Sequence, residues 1–386
     1  MPRRAAAPRR RPTPAPPASL PTLVWVLVPV VETTDEHLAC YNDFDQSLAE
    51  FTRAFAALEL EWRWQPVTLE NFGPVLEAIA ADRRVSPVVF NLCDGDESNG
   101  VPGLSVVRRL EELGLPYTGA NAEFFDVTTS KITMKHRFTA AGVPTAPWAE
   151  VTDAASTVDI FARCGTPLIV KPAISAGSMG LTVDSVVHTE AALEAQLEVL
   201  RAGYRGWDLA GGGLLAERYV VGREFTVFLI GSADAPESRL VFPAAERVFH
   251  HSLPETECFL SFDRLWEIYE RESPIGPDEY LWEYAPVPAA LDARVAEVSW
   301  AAYAAVGGRG YGRIDLRLDA KTGELFVLEV NAQCGLSEDE NYTSIGYILR
   351  QAQVPFHDAV LRIIAEAQAA SVPAARVAAG GVARVA

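Results

Sequence analysis

The sequence predicts an α/β protein of two or three units, on three observations. The chain has 386 residues, enough for more than one core. Apolar runs of strand length, such as Leu23–Val31, Val88–Leu92 and Pro167–Lys171, alternate with stretches of helical period. Near the C-terminus two strand-like segments, Gly312–Leu318 and Leu325–Val330, flank the turn Ala320–Glu324.

Taken in order, residues 1–20 read as a disordered tail, because Met1–Pro17 is rich in Arg, Pro and Ala. That stretch is basic and free of acids, as an organelle-targeting segment would be, but its prolines make a poor amphipathic helix. Residues 21–120 form a first α/β unit. Leu23–Val31 is a buried strand, too short to cross a bilayer. Leu38–Leu60 is a helix with Phe44, Leu48, Phe51, Phe55 and Leu58 on one stripe. Pro102–Leu113 is a helix ended by Gly114, and Tyr117–Gly119 is a short edge.

Residues 121–223 form a second unit. One long helix covers Asn121–Ala141; the strand Pro167–Lys171, a Gly- and Ser-bearing loop, a helix from Glu190 to Arg201 and the strand Leu214–Val220 follow. Residues 224–370 form a third. Glu224–Ile230 is a strand, and Pro236–Pro288 has no clear period and reads as including a long functional loop. The helix Ala289–Val306, the ribbon and a C-terminal helix interrupted near Pro355 complete it. Residues 371–386 read as a frayed tail.

The formal net charge of -18 argues against a nucleic-acid partner, since phosphate backbones need clustered Lys and Arg. It leaves ATP open, whose charge one or two lysines, backbone N–H groups and Mg²⁺ can meet. Lysine is scarce: only Lys131, Lys135, Lys171 and Lys321 occur. The five cysteines, Cys40, Cys93, Cys164, Cys258 and Cys334, are scattered without CxxC spacing, which fits a reducing, cytoplasmic compartment and no zinc site.

The ribbon carries the most information. If its strands pair about Thr322, Ile314 faces Val330, Leu316 faces Leu328 and Leu318 faces Phe326, giving one apolar face. On the other face Arg313 lies opposite Asn331, and Asp315 opposite Glu329. Opposed carboxylates repel, and a hard cation removes the penalty. Asp315, Glu329 and Asn331 are therefore candidate ligands for Mg²⁺, with Mn²⁺ an alternative; the bland reading is a solvated hairpin face.

Lys171 ends a strand and precedes a loop bearing Gly177, Ser178, Met179 and Gly180, whose backbone N–H groups can approach phosphate oxygens. Glu217–Glu224 joins two strands and can offer backbone groups to an adenine edge and Glu224 to ribose hydroxyls. Each signal also has an ordinary reading: a flexible loop, a polar turn and, for Lys131, a solvated helical lysine.

The order of these pieces is what is specific. A helix with Ser130, Lys131 and Lys135 in SKxxxK spacing is followed by PLIVKPAxxxGSMG, LLAERYVVGREFTV and GRIDLRLD…FVLEVNAQCGL. Over residues 86–336 this resembles the D-alanine–D-alanine ligase branch of the ATP-grasp superfamily. The resemblance implies an ATP-grasp fold with an N-terminal Rossmann-like domain, the nucleotide held between two α+β subdomains. It implies that Lys131 and Lys171 hold the ATP phosphates under a loop of Gly177, Ser178, Met179 and Gly180. Glu217 and Val220 would sit at the adenine and Glu224 at the ribose. Asp315, Glu329 and Asn331 would bind Mg²⁺, and Arg313 with the Gly335 N–H would stabilise an oxyanion. The implied activity is ATP-dependent joining of a carboxylate to an amine through an acyl phosphate, with ADP and phosphate released. A D-alanine–D-alanine ligase proper, a kinase of the same superfamily and a catalytically decayed nucleotide-binding regulator are the competing readings. Related ligases are often dimers, which makes a homodimer an open expectation.

Several departures from the family pattern point to a different substrate pair. Pro29–Glu36 lacks the family's glycine-rich turn, and Gly177 replaces the first of two serines. A mobile-loop lysine is missing, with Arg264 or Arg271 as substitutes, and Cys334 replaces a proline. Glu338, Asp339 and Glu340 stand where the family offers hydroxyls; either they suit an acceptor that is cationic or lacks a free carboxylate, or they face solvent or cap the following helix.

Overall fold

Parallel strands need long crossovers, and the N-terminal part of the chain supplies two. The computed structural model describes residues 20–31, 43–95, 97, 100–175, 177–203, 207–265, 280–339 and 343–370. Here β1 (Thr22–Pro29), β2 (Glu61–Val67) and β3 (Ser86–Asn91) form a parallel sheet in the order β2-β1-β3. The helices α1 (Asp45–Ala57), α2 (Phe72–Ala81) and α3 (Leu104–Leu113) alternate with them, and α3 ends in a left-handed Gly114. The sequence reading lacked β2 and α2. β2 is an edge strand of alternating exposure that tolerates Pro66, so it carries no apolar run to detect. The glycine-free segment Glu32–Glu36 lies outside the described residues.

The single helix expected over Asn121–Ala141 is two: α4 (Ala122–Thr129) and α5 (Lys131–Ala141). Ser130 breaks the run in extended conformation, its side chain accepting from the Thr133 N–H at 3.4 Å. The Thr128 and Thr129 hydroxyls bond back to Phe124 and Phe125 carbonyls. The break puts Lys131 at the first turn of α5.

The middle of the chain forms a four-stranded antiparallel sheet. Its strands are β4 (Trp148–Val151), β5 (Leu168–Pro172), β6 (Val186–Val187) and β7 (Leu214–Arg218), in the order β4-β7-β5-β6. The short α6 (Ile160–Cys164) and α7 (Glu190–Ala202) complete this unit, and α7 buries Leu193, Leu197 and Leu200 on it.

The C-terminal sheet has six strands: β8 (Gly222–Ser232), β9 (Ala235–Val241), β10 (Ala245–Phe249), β11 (Trp282–Pro286), β12 (Tyr311–Asp319) and β13 (Leu325–Ala332). Three of them, β9, β10 and β11, lie in the stretch read as a long loop, together with the short α8 (Phe262–Leu265). One face of this sheet buries Val227, Ile314 and Val330 with Phe124 of α4, Met134 of α5 and Tyr303 of α9 (Ala289–Ala305). Helices α4 and α5 thus pack on the C-terminal sheet. The opposite face buries Phe228, Ile230 and Tyr311 against α10 (Ser344–Gln351), α11 (Phe356–Ala370) and the N-terminal unit. That cover extends over only part of the face, and the remainder carries the site.

Candidate active site

Strand register places side chains in rows across the six-stranded sheet. One row runs Arg247, Glu224, Arg317, Phe326 from β10 to β13. The next is Thr226, Asp315, Glu329, and the third Phe228, Arg313, Asn331. The opposed carboxylates expected on the ribbon are therefore present, as is the Arg313–Asn331 pair. Ile314 pairs with Val330 as expected, and a β-bulge after Asp315 corrects the register beyond it: Leu316 pairs with Val327 rather than Leu328, and Leu318 with Leu325 rather than Phe326. The bulge lets Val327 and Leu325 enter the core while Glu329 and Asn331 stay on the site face.

Each acid on this face has its own cation. Arg313 pairs with Asp315 at 2.9 Å, and the Asn331 amide donates to Asp315 at 2.9 Å. Lys131 reaches Glu329 at 3.5 Å and donates to the Ser175 carbonyl at 3.0 Å. Glu224, buried, sits between Arg317 at 3.1 Å and Arg247. Arg317 also donates to the Val220 carbonyl at 2.7 Å and lies 4.7 Å over the Tyr219 ring. It ties the β7–β8 connector to the C-terminal sheet.

Facing this from the central sheet is a buried cluster. Glu217 on β7 pairs with Lys171, its diagonal neighbour on β5, and with Lys135 of α5 at 2.5 Å. Lys135 and Glu217 are each 1% exposed. Burial alone would raise the Glu217 pKa, but the two lysines overcome it and hold the carboxyl down at about 2. Burial pulls the Lys135 pKa down, against the attraction of Glu217. Lys135 further donates to the Thr145 hydroxyl at 2.6 Å and the Val327 carbonyl at 3.4 Å, so it bridges to β13. Beside Glu217 the side chains of Ile169, Tyr219 and Phe259 form a small apolar patch.

In the loop after Lys171, Gly177, Ser178 and Gly180 all have positive φ, at 53°, 60° and 80°. A Cβ on Gly180 would come within 2.8 Å of Leu209, so only glycine fits there. The Met179 side chain packs into the core of the central unit, leaving its backbone alone free to face a ligand. After β13, Cys334 is buried, and burial pushes its thiol up to about 12. It is a packing residue rather than a nucleophile. A Cβ on Gly335 would meet nothing closer than Thr343 at 3.9 Å.

The family model for the D-ala D-ala ligase C-terminus matches residues 138–365. The chain belongs to the D-alanine–D-alanine ligase family of ATP-grasp enzymes. It is an ATP-grasp ligase, a class that forms C–N bonds. A D-alanine–D-alanine ligase of Albidiferax ferrireducens is 30% identical over 233 residues, and the match spans 60% of each chain. One from Xanthomonas axonopodis pv. citri is 29% identical over 279 residues, 72% of this chain and 76% of that one. The crystal structure of D-alanine–D-alanine ligase from Bacillus anthracis complexed with ATP superposes with a TM-score of 0.63 at 19% identity. It covers 92% of this chain and 99% of that one, which shows a shared fold.

Within this ligase, the sequence-expected residues Lys131, Asp315, Glu329, Asn331 and Arg313 fall in one connected set of contacts. Lys171 and Glu217 fall in a second, and Val220 and Glu224 in a third. Three residues were missed: Lys135, Arg247 and Arg317. Lysine scarcity already pointed at Lys135. Arg264 is not a spare cation, because it is buried and bound to the Glu257 carbonyl and carboxylate. Arg271 and Glu340 lie outside the described residues. Glu338 pairs with Arg53 and Asp339 accepts from Gln46, so these two acids are engaged by α1. Among the described residues no helix is long and apolar enough to cross a membrane.

The fit to a divalent cation can be judged from the donors. Among the described residues no group of three or more His, Cys, Asp or Glu gathers as a metal site. The protein offers two opposed carboxylates and one amide, a set suited to Mg²⁺ that completes its shell with phosphate oxygens and water.

Proposed function

We propose that this ligase uses ATP to phosphorylate the carboxylate of one amino-acid-like substrate and passes the acyl group to the amine of another. In the first step a carboxylate oxygen attacks the γ-phosphorus of ATP, and ADP leaves. In the second the amine nitrogen attacks the acyl carbon, the bond to the phosphate oxygen breaks, phosphate leaves and the nitrogen loses a proton. The carrying observation is the Thr226–Asp315–Glu329 row facing Lys131, with the Lys135–Glu217–Lys171 cluster opposite.

Asp315, Glu329 and Asn331 would hold Mg²⁺, which would neutralise phosphate charge. Lys131 and Lys171 would release Glu329 and Glu217 and take up phosphate oxygens. Glu217 and the Val220 backbone would recognise the adenine over the Ile169–Tyr219–Phe259 patch, and Glu224 the ribose. Gly177, Ser178, Met179 and Gly180 would close over the phosphates through their backbone. Arg313 and the Gly335 N–H would meet the oxyanion of the second step. ATP dependence fits a cytoplasmic enzyme.

For the substrates, we propose a pair other than two D-alanines. With Glu338 and Asp339 engaged by α1, this finer reading rests on Gly177, Cys334 and Glu340. The experiment is an ADP- and phosphate-release screen against pooled amino acids and amines, with D-alanine as one arm. Amine-dependent release of both products supports a ligase. ADP release without free phosphate would make it a kinase, and a highest rate with D-alanine alone would reject the finer reading.

A further inference from the structure

The loop after β13 is held at both ends by the N-terminal unit. At its start Gln333 has a left-handed φ of 55° and a side chain only 3% exposed. Its amide oxygen accepts from the Ala120 N–H at 2.9 Å, and its amide nitrogen donates to the Asn91 carbonyl at 3.4 Å. The side chain fills space that only a glycine leaves open: a Cβ on Gly119 would lie 1.3 Å from the Gln333 oxygen.

At the other end the anchor is Glu50 of α1, 2% exposed. Its carboxylate accepts from the Ser337 hydroxyl at 2.7 Å, the Glu338 N–H at 3.2 Å and the Gln46 amide at 3.1 Å. Ser337 is fully buried, and its hydroxyl oxygen in turn accepts from the Asp339 N–H at 3.0 Å. A buried carboxylate is costly unless donors surround it, and here all but Gln46 belong to a loop nearly 290 residues away in sequence. Between the two anchors lie Cys334 and Leu336, both in the core, with Gly335 between them.

We propose that Glu50 is a positioning residue for the amide-forming step. Through Ser337 and the Glu338 N–H it fixes the loop that presents the Gly335 N–H to the reacting acyl group. This deepens the ligase reading and rests on it. None of the described contacts of Glu50 reaches Lys131, Lys171, Glu217 or Glu224. The two half-reactions should therefore respond differently when Glu50 is changed, whereas a general loss of packing would lower both.

The test uses the full chain with Glu50→Gln, which keeps the volume but sets an amide N–H₂ against groups that need an acceptor. Ser337→Ala, which leaves Glu50 bound to the Glu338 N–H, is the milder second variant. Hydrogen exchange of the Gly335–Asp339 backbone reads the anchor directly and needs no substrate. Scrambling of bridging ¹⁸O in ATP, with carboxylate and no amine, reads phosphorylation; amine-dependent ADP release reads the whole reaction with the pair found in the screen.

We expect faster exchange in the loop, scrambling kept, and ADP release with amine lowered about 10- to 100-fold, the scale of a roughly 1 Å misplacement. The KM for ATP should stay within about twofold. Unchanged exchange in both variants overturns the proposal, as does an equal fall in scrambling and amide formation. If the wild-type protein shows no amine-dependent release, the ligase reading fails instead, and the exchange measurement still decides whether Glu50 holds the loop.

Discussion

Lys135→Met removes one charge from the most buried ion cluster of the site. Lys135 lies 2.5 Å from Glu217, with both side chains 1% exposed, and methionine keeps much of the aliphatic stem. Glu217 is then left with Lys171 alone. Removing one partner of a buried pair costs about 3–5 kcal/mol, and because Lys171 remains, the lower end, about 3 kcal/mol, is expected. The loss should spread, since Lys135 also bonds to Thr145 and to the Val327 carbonyl of β13.

Under the proposed roles the same change should weaken ATP binding, because Lys171 would leave Glu217 to reach a phosphate, and in the variant it would leave a bare buried carboxylate. A cost of about 1.4–2.8 kcal/mol corresponds to a tenfold to hundredfold loss of affinity. Urea unfolding and ATP calorimetry on wild type, Lys135→Met, Glu217→Gln and the double variant form a cycle. The double variant should be more stable than the sum of the single losses by about 2 kcal/mol. Wild-type stability and ATP affinity in Lys135→Met, or a cycle additive within about 0.5 kcal/mol, would refute the reasoning.

Asp315→Asn and Glu329→Gln should each lower steady-state turnover at least about a hundredfold, since each would remove a proposed ligand of the metal–nucleotide complex; near-normal rates in both would displace the site from the ribbon. Gly335→Ala should unfold at the wild-type midpoint, because the nearest atom to its Cβ is the Thr343 methyl at 3.9 Å, yet lose turnover where the acceptor would approach; normal ADP release with amine would remove Gly335 from the mechanism. Acid should destabilise the protein through Glu217. Its folded pKa of about 2 lies below its ordinary 4.5, so its contribution is complete above pH 4.5 and is lost as pH falls toward 2. Denaturation midpoints measured across that window should slope in wild type and flatten in Glu217→Gln.

The site's acids were legible because sheet alternation leaves few choices. With Ile314 and Val330 inward, Asp315, Glu329, Arg313 and Asn331 must share the other face, and they do. The bulge at Leu328 was not legible, since Leu325, Val327 and Leu328 are equally apolar and only the packing decides which go in. Lys171 and Glu217 were read as binding different parts of ATP. Their pairing comes from β5 and β7 lying side by side, a contact between distant segments with no local signature. Strands β10 and β11 were missed for a related reason. In β10 the charged Arg247 shares a face with Ala245 and Phe249 while Val248 is exposed, which blurs the alternation, and its partners there, the Trp282 and Tyr284 rings of β11, are distant in sequence.

The cations and acids of the site neutralise one another: Lys131 with Glu329, Lys171 with Glu217, Arg313 with Asp315, Arg247 and Arg317 with Glu224. This keeps opposed carboxylates and facing lysines compatible with a folded, partly dry cleft. It also bears on the form that ATP binding would take under the proposed roles. Under the proposed roles, a phosphate that attracts Lys131 would expose Glu329, and that acid would then need a new cation at the spot where Asp315 stands opposite. Nucleotide and divalent metal should therefore bind with strong mutual dependence, each completing the exchange the other begins. Lys135 is buried and pairs with the same carboxylate as Lys171. It is the more buried of the two lysines on Glu217, which makes its loss the most informative single change to the cluster.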